Sequence, residues 1–428
     1  MEQDNRNAYS LDHPIFQIGN IGGMQCLTTT EVVGNESYEM DLQAQIRLSP
    51  LRRPLTMDAD VRVFAVYQPH RHVLGQDWID FAKQGVDESI TFGTWDTGVN
   101  GLDCLGYSRL EGFLPKPLVA LPSRTWNFYC RDKSDDASIK ADDYLLTASG
   151  AESAYGIQCA HLPDTMWSMG VQEEVDASDK DVTVSGGTMS LHDLEIQKGR
   201  LKSEKVKENY GQTYEDSMES SVGSRPSTNT EEKPLLLASA RVWLSGHDVN
   251  GTSADALGDY SGKSFGKFRL SFPLRHFPEH GYISVFIIVR FPSIHPSHTP
   301  YLCNHPEWTY EEVFGDPDVV ARQPQLQQSE SDFFKNSSDT TNLGLFPYAY
   351  WYRQHPPVVH RLLFDKLGFP FMKGSINTVN TSKYIRVEDY DPTFSSLTFR
   401  HWFVQGHCKL YKLSPIPDYR TSVFAGTR

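Results

Sequence analysis

The sequence has no run of eighteen apolar residues, so no segment reads as a membrane-spanning helix. Its first residues, Met1-Glu2-Gln3-Asp4-Asn5-Arg6, are polar and lack the apolar centre of a secretory signal. Cysteine is scarce: Cys26, Cys104, Cys130, Cys159, Cys303 and Cys408 lie far apart and form no CxxC pair. That argues against a structural zinc site and fits reduced, buried thiols in a chain folded in a cytoplasm. GxSxG, Walker, HExxH and Rossmann signatures are missing, which removes the enzyme classes they mark. A basic excess is missing too. Forty Lys and Arg stand against 54 Asp and Glu, a net charge of −14, so the overall field repels nucleic acid. Any such contact requires a local basic patch or a basic partner. No internal repeat is present.

What is there suits short strands and many turns. Hydrophobic residues make up 39% of the 428, aromatics 12%, and 25 prolines and 31 glycines are scattered throughout. Residues 1–27 read as an irregular arm. Ser37–Leu42 alternates polar and apolar, as a half-buried strand does. Asp60–Tyr67 places Val61, Val63, Ala65 and Tyr67 on one face and Arg62, Phe64 and Val66 on the other, predicting a strand between two apolar layers that Pro69 ends. Further strands are predicted at Leu235–Trp243, Phe265–Phe272 and Tyr282–Phe291, the last so apolar that it reads as central. A pair is predicted at Ser396–Phe403 and His407–Leu413. A short helix is expected near Gln76–Lys83 and another over residues 189–218, with an exposed loop at Ser221–Lys233. The long stretches without steady period, about 85–235 and 292–395, read as insertions within one framework. Closing a sandwich with strands so distant in sequence is how jelly rolls are built. The expected fold is therefore mainly β: an eight-stranded antiparallel jelly roll with long loop and helical insertions, occupying residues 28–428 as a single domain.

Few residues suggest chemistry. His70-Arg71-His72 puts two imidazoles at i, i+2, the spacing by which cupin jelly rolls bind metal, but the glycine and glutamate that complete that pattern are absent; a strand-end turn with hydrogen-bonded imidazoles is the plainer reading. Asp248-Val249-Asn250-Gly251-Thr252 opens like a calcium loop, yet the EF-hand positions six and twelve fall on Ser253 and Asp259. Asp248, Asn250, Asp255 and Asp259 remain candidate oxygen donors for a structural divalent cation such as calcium, against a glycine turn with Asx hydrogen bonds. Glu388, Asp389 and Asp391 form an acidic cluster of the kind found on solvated turns. No cofactor is expected. Basic residues gather at Arg47, Arg52 and Arg53 and in the tail, where Arg400, Lys409, Lys412, Arg420 and Arg428 accompany His401, Trp402, Phe403, His407, Tyr411 and Tyr419. Cations mixed with aromatics suit phosphate contact with base stacking; they equally suit a terminal strand whose charges stay solvated.

An ordered series of segments resembles the major capsid protein family of the Microviridae, the phiX-type group. It begins at Leu48-Ser49-Pro50-Leu51-Arg52-Arg53-Pro54-Leu55 and Tyr67-Gln68-Pro69-His70-Arg71-His72-Val73. It continues through Ala154-Tyr155-Gly156, Asp248–Thr252, Pro278-Glu279-His280-Gly281, Gly315-Asp316-Pro317, Trp351-Tyr352-Arg353, Gly368-Phe369-Pro370-Phe371 and Asp389-Tyr390-Asp391. The series spans about residues 30–415 and fades at 85–150, 170–232 and 320–345. The resemblance implies a structural, non-enzymatic subunit that self-assembles, through pentamers, into a T=1 shell of sixty copies around circular single-stranded DNA. It implies a virion protein assembled in the host bacterial cytoplasm, without membrane insertion. Implied partners are a spike protein, a DNA pilot protein, a small basic DNA-binding peptide, scaffolding proteins and a host surface glycan or lipopolysaccharide. Trp308, Tyr310, Trp351, Tyr352, Phe369 and Phe371, in aromatic and proline-rich loops, are then subunit-interface candidates, unless they pack on their own subunit. The alternatives are a cupin-like metal-dependent enzyme and a glycan-binding jelly-roll module.

Overall fold

Alternation of side-chain polarity sets the strands, and the strands set everything else. The computed structural model describes residues 7–34, 36–52, 57–75, 77–78, 90, 94–96, 105, 111–113, 115–131, 139–147, 157–159, 233–247, 262–277, 279–292, 300, 325–329, 342–347, 355–362, 387–397 and 400–414. The framework strands are β1 (Asn7–Ser10), β2 (His13–Gly19), β3 (Gly23–Val32), β4 (Glu36–Leu48) and β5 (Ala59–Pro69). Short strands β6 (Thr94–Asp96), β7 (Glu111–Phe113) and β8 (Ile157–Gln158) come next. They are followed by β9 (Leu235–His247), β10 (Lys263–Phe277), β11 (Gly281–Arg290), β12 (Gln325–Ser329), β13 (Asn342–Pro347) and β14 (Trp402–Ser414).

Two antiparallel sheets face each other. One runs β3-β11-β5-β9 and the other β2-β14-β4-β10. From β2 onward, successive framework strands change sheet, except between β5 and β9, and this is jelly-roll order. The end of β9 leaves β5 and pairs Ser245–His247 with β10, so the sandwich curls shut along that side. β1 pairs with the far end of β14, and β8 with the start of β3. Residues 70–234 lie between β5 and β9, and residues 291–401 between β11 and β14.

The core between the sheets follows the alternation. Tyr38, Met40, Leu42, Ala44, Ile46 and Leu48 of β4 meet Val61, Val63, Ala65 and Tyr67 of β5 and Ile283, Val285, Ile287 and Val289 of β11. Phe64, Val66, Phe286 and Ile288 point the other way, into a second core capped by Leu118, Val119, Leu121 and Trp126 of the Lys116–Tyr129 helix. Strand β5 is thus two-sided, as its sequence predicts, and β11 is central between β3 and β5. Burying nearly thirty medium and large side chains in the first core supplies tens of kcal/mol of gross hydrophobic driving force.

Three expectations change. The segment expected as an irregular arm contains β1, β2 and the start of β3; Ile15, Ile21, Met24, Cys26 and Leu27 are buried there. The apolar residues of this stretch are too sparse and polar-spaced to show as a run, and only cross-strand pairing with β14 and β11 orders them. The pair expected at Ser396–Phe403 and His407–Leu413 is one strand, β14. Gly406 marks no turn: a Cβ there would stand 2.6 Å from the Ala44 Cβ and 2.7 Å from the Gln43 carbonyl oxygen, so glycine lets β14 close on β4. Third, β5 ends at Pro69 and His70–Leu74 is a helical turn, so His70 and His72 do not share a strand face. The expected helix at residues 189–218 and nearly all of the loop Ser221–Lys233 lie outside the described residues, as does most of Gln76–Lys83.

Candidate assembly and nucleic-acid surfaces

The two sheets differ in what covers their outer faces. The β3-β11-β5 face carries the second core. The β2-β14-β4-β10 face is open among the described residues, and pairing register puts its outward side chains in rows. Ile18, Phe403, Arg47 and Phe265 form one row, Phe16, Gln405, Gln45 and Lys267 the next, and Pro14, His407, Gln43 and Arg269 the third. Lys409, Asp41 and Ser271 follow, then Tyr411 beside Glu39. Phe16 is 66% exposed, and Ile18, Phe265, Leu274 and Tyr411 are exposed too. Arg47 donates to the Gln405 amide oxygen at 2.7 Å and lies over the Phe403 ring. Arg269 makes a bidentate pair with Asp41 at 2.7 and 3.1 Å, and this guanidinium, ahead of Gln43 and Lys409, holds the Asp41 carboxyl below the usual range. Including Lys263, five cations face two carboxylates here, on a chain with a net charge of −14.

A second charged cluster sits on the far side of the sandwich. The Asp60 side chain is 1% exposed, roofed by guanidiniums from three strands. Arg241 donates to it at 2.7 and 3.0 Å, Arg62 at 3.1 Å and Arg290 at 3.5 Å. Burial pushes the carboxyl pKa up, but the Arg241 hydrogen bonds and the three cations outweigh it, so Asp60 is held below its ordinary range. Cross-strand register explains the convergence: Arg290 of β11 and Trp243 of β9 lie directly opposite Asp60, and Arg241 opposite Arg62. The cluster ties β9, β5 and β11 together. A cavity of about 710 Å³ opens beside it, walled by Arg62, Phe64, Tyr129, Arg131, Arg241 and Arg290.

The tail cations do not converge. Lys409 points outward on the open face, whereas Lys412, on the opposite side of β14, pairs with the buried Glu36 at 3.0 Å and lies near the rings of Tyr9 and Tyr38. Burial raises the Glu36 pKa; hydrogen bonds from Ser414, Tyr38 and Lys412 outweigh it and leave the carboxyl lowered. Arg400 stands before the strand, about 30 Å along the chain from Lys409, in a left-handed turn with φ 59°. Its carbonyl accepts from Ser49. Arg52 is exposed, and its N–H donates to the Thr393 carbonyl at 2.9 Å. Arg53, Arg420 and Arg428 lie outside the described residues. So do the interface candidates Trp308, Tyr310, Trp351, Tyr352, Phe369 and Phe371, and the cation candidates Asp248, Asn250, Asp255 and Asp259. Among the described residues no group of three or more His, Cys, Asp or Glu could hold a metal ion.

Two histidines show what the remaining motifs do. His70 is buried between the rings of Trp78 and Tyr282, at 5.1 and 4.9 Å, and its Nδ1 has no hydrogen-bond partner among the described residues. Burial, with the nearby His280, pulls its pKa down to about 4. The hydrogen-bonded imidazole expected at His70 is thus a packed one. His401 is fully buried and stacks on Phe394. Its Nδ1 accepts the Ile21 N–H at 3.0 Å, which places the proton on Nε2, donated to Asp391 at 2.7 Å. The acidic cluster at 388–391 therefore anchors the start of β14, with Tyr390 buried in the core. Nothing in the sequence pairs Asp391 with His401, because the contact forms only when the turn ahead of β14 folds back.

A family model described as capsid protein (F protein) matches residues 2–97 and 153–424. Over 429 residues the chain is 30% identical to capsid protein F of Enterobacteria phage phiK, covering 98% of this chain and 97% of that protein. Capsid protein F of Escherichia phage G4 is 30% identical over 424 residues, and that of Escherichia phage alpha3 29% identical over 429, with the same coverage.

Proposed function

The chain belongs to the phage capsid protein (F protein) family, a structural component of the Microviridae virion, and from that premise we propose that it builds a T=1 shell of sixty copies through pentameric intermediates. Colinear similarity over 98% of the chain carries this reading. The fold supports it physically. A jelly roll supplies a stiff wall, and long excursions between strands supply the varied contact area a subunit needs toward several neighbours.

The shell encloses circular single-stranded DNA. It assembles with scaffolding proteins and carries a spike protein, a DNA pilot protein and a small basic DNA-binding peptide that neutralises much of the genome. It also contributes to attachment at a host surface glycan or lipopolysaccharide. The aromatic loops carrying Trp308, Tyr310, Trp351, Tyr352, Phe369 and Phe371 are the proposed subunit contacts. Arg52, Arg53, Arg400, Lys409, Arg420 and Arg428 remain candidates for genome contact; Lys412 is the weakest of that set, because Glu36 already holds it. A calcium-type cation on the Asp248–Asp259 oxygens belongs to the same proposal and would appear as chelator-sensitive shell stability.

The test is expression of the full chain with its scaffolding partners, followed by sedimentation and electron microscopy. Pentamers and closed shells are expected. A stable monomer under those conditions would overturn the reading.

A further inference from the structure

We infer that the open face of the β2-β14-β4-β10 sheet is the genome-facing wall of the subunit, where unpaired DNA lies with its phosphates on Lys263, Lys267, Lys409 and Arg47 and its bases against Phe265, Phe403 and Tyr411. The inference rests on the reading of the chain as a shell subunit and names the surface that reading leaves open.

Three observations carry it. The first is charge. The chain as a whole repels a polyanion, yet this face holds five cations against Glu39 and Asp41. Arg269 already satisfies Asp41. Lys263, Lys267 and Lys409 make no ion pair among the described residues, and exposed ammonium groups of this kind release counterions when phosphates replace them. The second is alternation. Cations and aromatic rings interleave along the rows, with Arg47 between Phe403 and Phe265 and Lys267 near the Phe265 ring. Outward positions on one strand recur about every 7 Å, roughly the reach of one nucleotide in an extended strand. Rings beside cations give sequence-tolerant stacking plus phosphate contact, as a surface must when it meets many different stretches of genome. Neutral Gln43, Gln45 and Gln405 between them can donate to phosphate or base edges without fixing sequence. The third is exclusion. The second core covers the outer face of the other sheet over β3, β11 and part of β5, and the arginines toward its β9 edge are drawn onto the buried Asp60, whereas the β2-β14-β4-β10 face is left open among the described residues.

An acidic protein segment is the competing occupant, and the test separates the two. Full-length chain carrying Lys263→Gln, Lys267→Gln and Lys409→Gln is assembled with the usual partners, and the DNA content and nuclease protection of the particles are compared with those of the unaltered chain. Shells of unchanged sedimentation with reduced DNA retention are expected. On isolated oligomers, binding of a fluorescent oligo-dT should weaken at least tenfold. Its log–log salt slope should fall by about 2, at roughly 0.7 per lost phosphate contact. Glu39→Gln removes a repelling carboxylate at an exposed position and should tighten oligo-dT binding several-fold, which gives a readout even if the triple variant folds poorly. Normal DNA retention with an unchanged salt slope would overturn the inference while leaving the shell reading intact. So would polyglutamate displacing oligo-dT as effectively as DNA of equal charge does. Absence of shells from the unaltered chain would defeat the underlying reading, and the inference with it.

Discussion

Replacing Asp60 by Asn isolates a buried electrostatic tie that joins β5, β9 and β11. The amide keeps the shape of the carboxyl but removes the negative charge that Arg62, Arg241 and Arg290 share. Breaking a buried pair by removing one partner costs about 3–5 kcal/mol. Here Arg62 and Arg241 are 48% and 51% exposed and regain water, so the cost reduces to about 2–3 kcal/mol. For a chain of 428 residues, unfolding entropy near the midpoint converts that to a drop in Tm of about 3 °C. Calorimetry of unassembled subunits measures it. The pH dependence adds a second check. The folded pKa of Asp60 lies below its unfolded value of about 3.9, so its stabilisation is fully present above that pH and fades only as pH falls through the lower folded value. The difference between Asp60→Asn and the unaltered chain should therefore stay constant from pH 7 to about pH 4. An unchanged Tm, or a difference already gone at pH 6, would refute the argument.

Other expectations follow from single sites. His70 is neutral when folded, with a pKa near 4 against about 6.5 unfolded, so the unfolded chain takes up the proton first as pH falls. Stability should drop progressively between about pH 6.5 and pH 4, by up to about 3 kcal/mol from this group alone, and His70→Phe should flatten that slope in urea titrations. Gly406→Val should block pairing of β14 with β4 and abolish soluble protein, whereas Gln405→Thr, on a half-exposed neighbouring position, should not. Burial pushes the thiols of Cys26 and Cys408 up to about 11 and 12, so neither should react with a thiol reagent at pH 8 until the chain is unfolded.

Much of the framework was legible because strand period and burial agree. In β4 and β5, alternate residues enter the core as their sequences state, and the second apolar face of β5 foretold a second core. The N-terminal strands were not legible, since β2 is held by pairing with β14 nearly four hundred residues away. The break expected between Ser396–Phe403 and His407–Leu413 is absent, and Gly406 within it is a point of close approach to β4. The same non-locality hid the basic face. Arg47, Lys267 and Lys409 come from three distant segments and meet only across β4, β10 and β14. Lys409 and Lys412, neighbours in sequence, fall on opposite sides of one strand.

A side-chain-resolution density map of the assembled particle should show a closed shell of this chain in which the β2-β14-β4-β10 face lines the interior and density for nucleic acid lies over Phe403, Arg47 and Lys267. A shell with that face turned outward, or sealed against a neighbouring subunit, would rule out this placement of the genome.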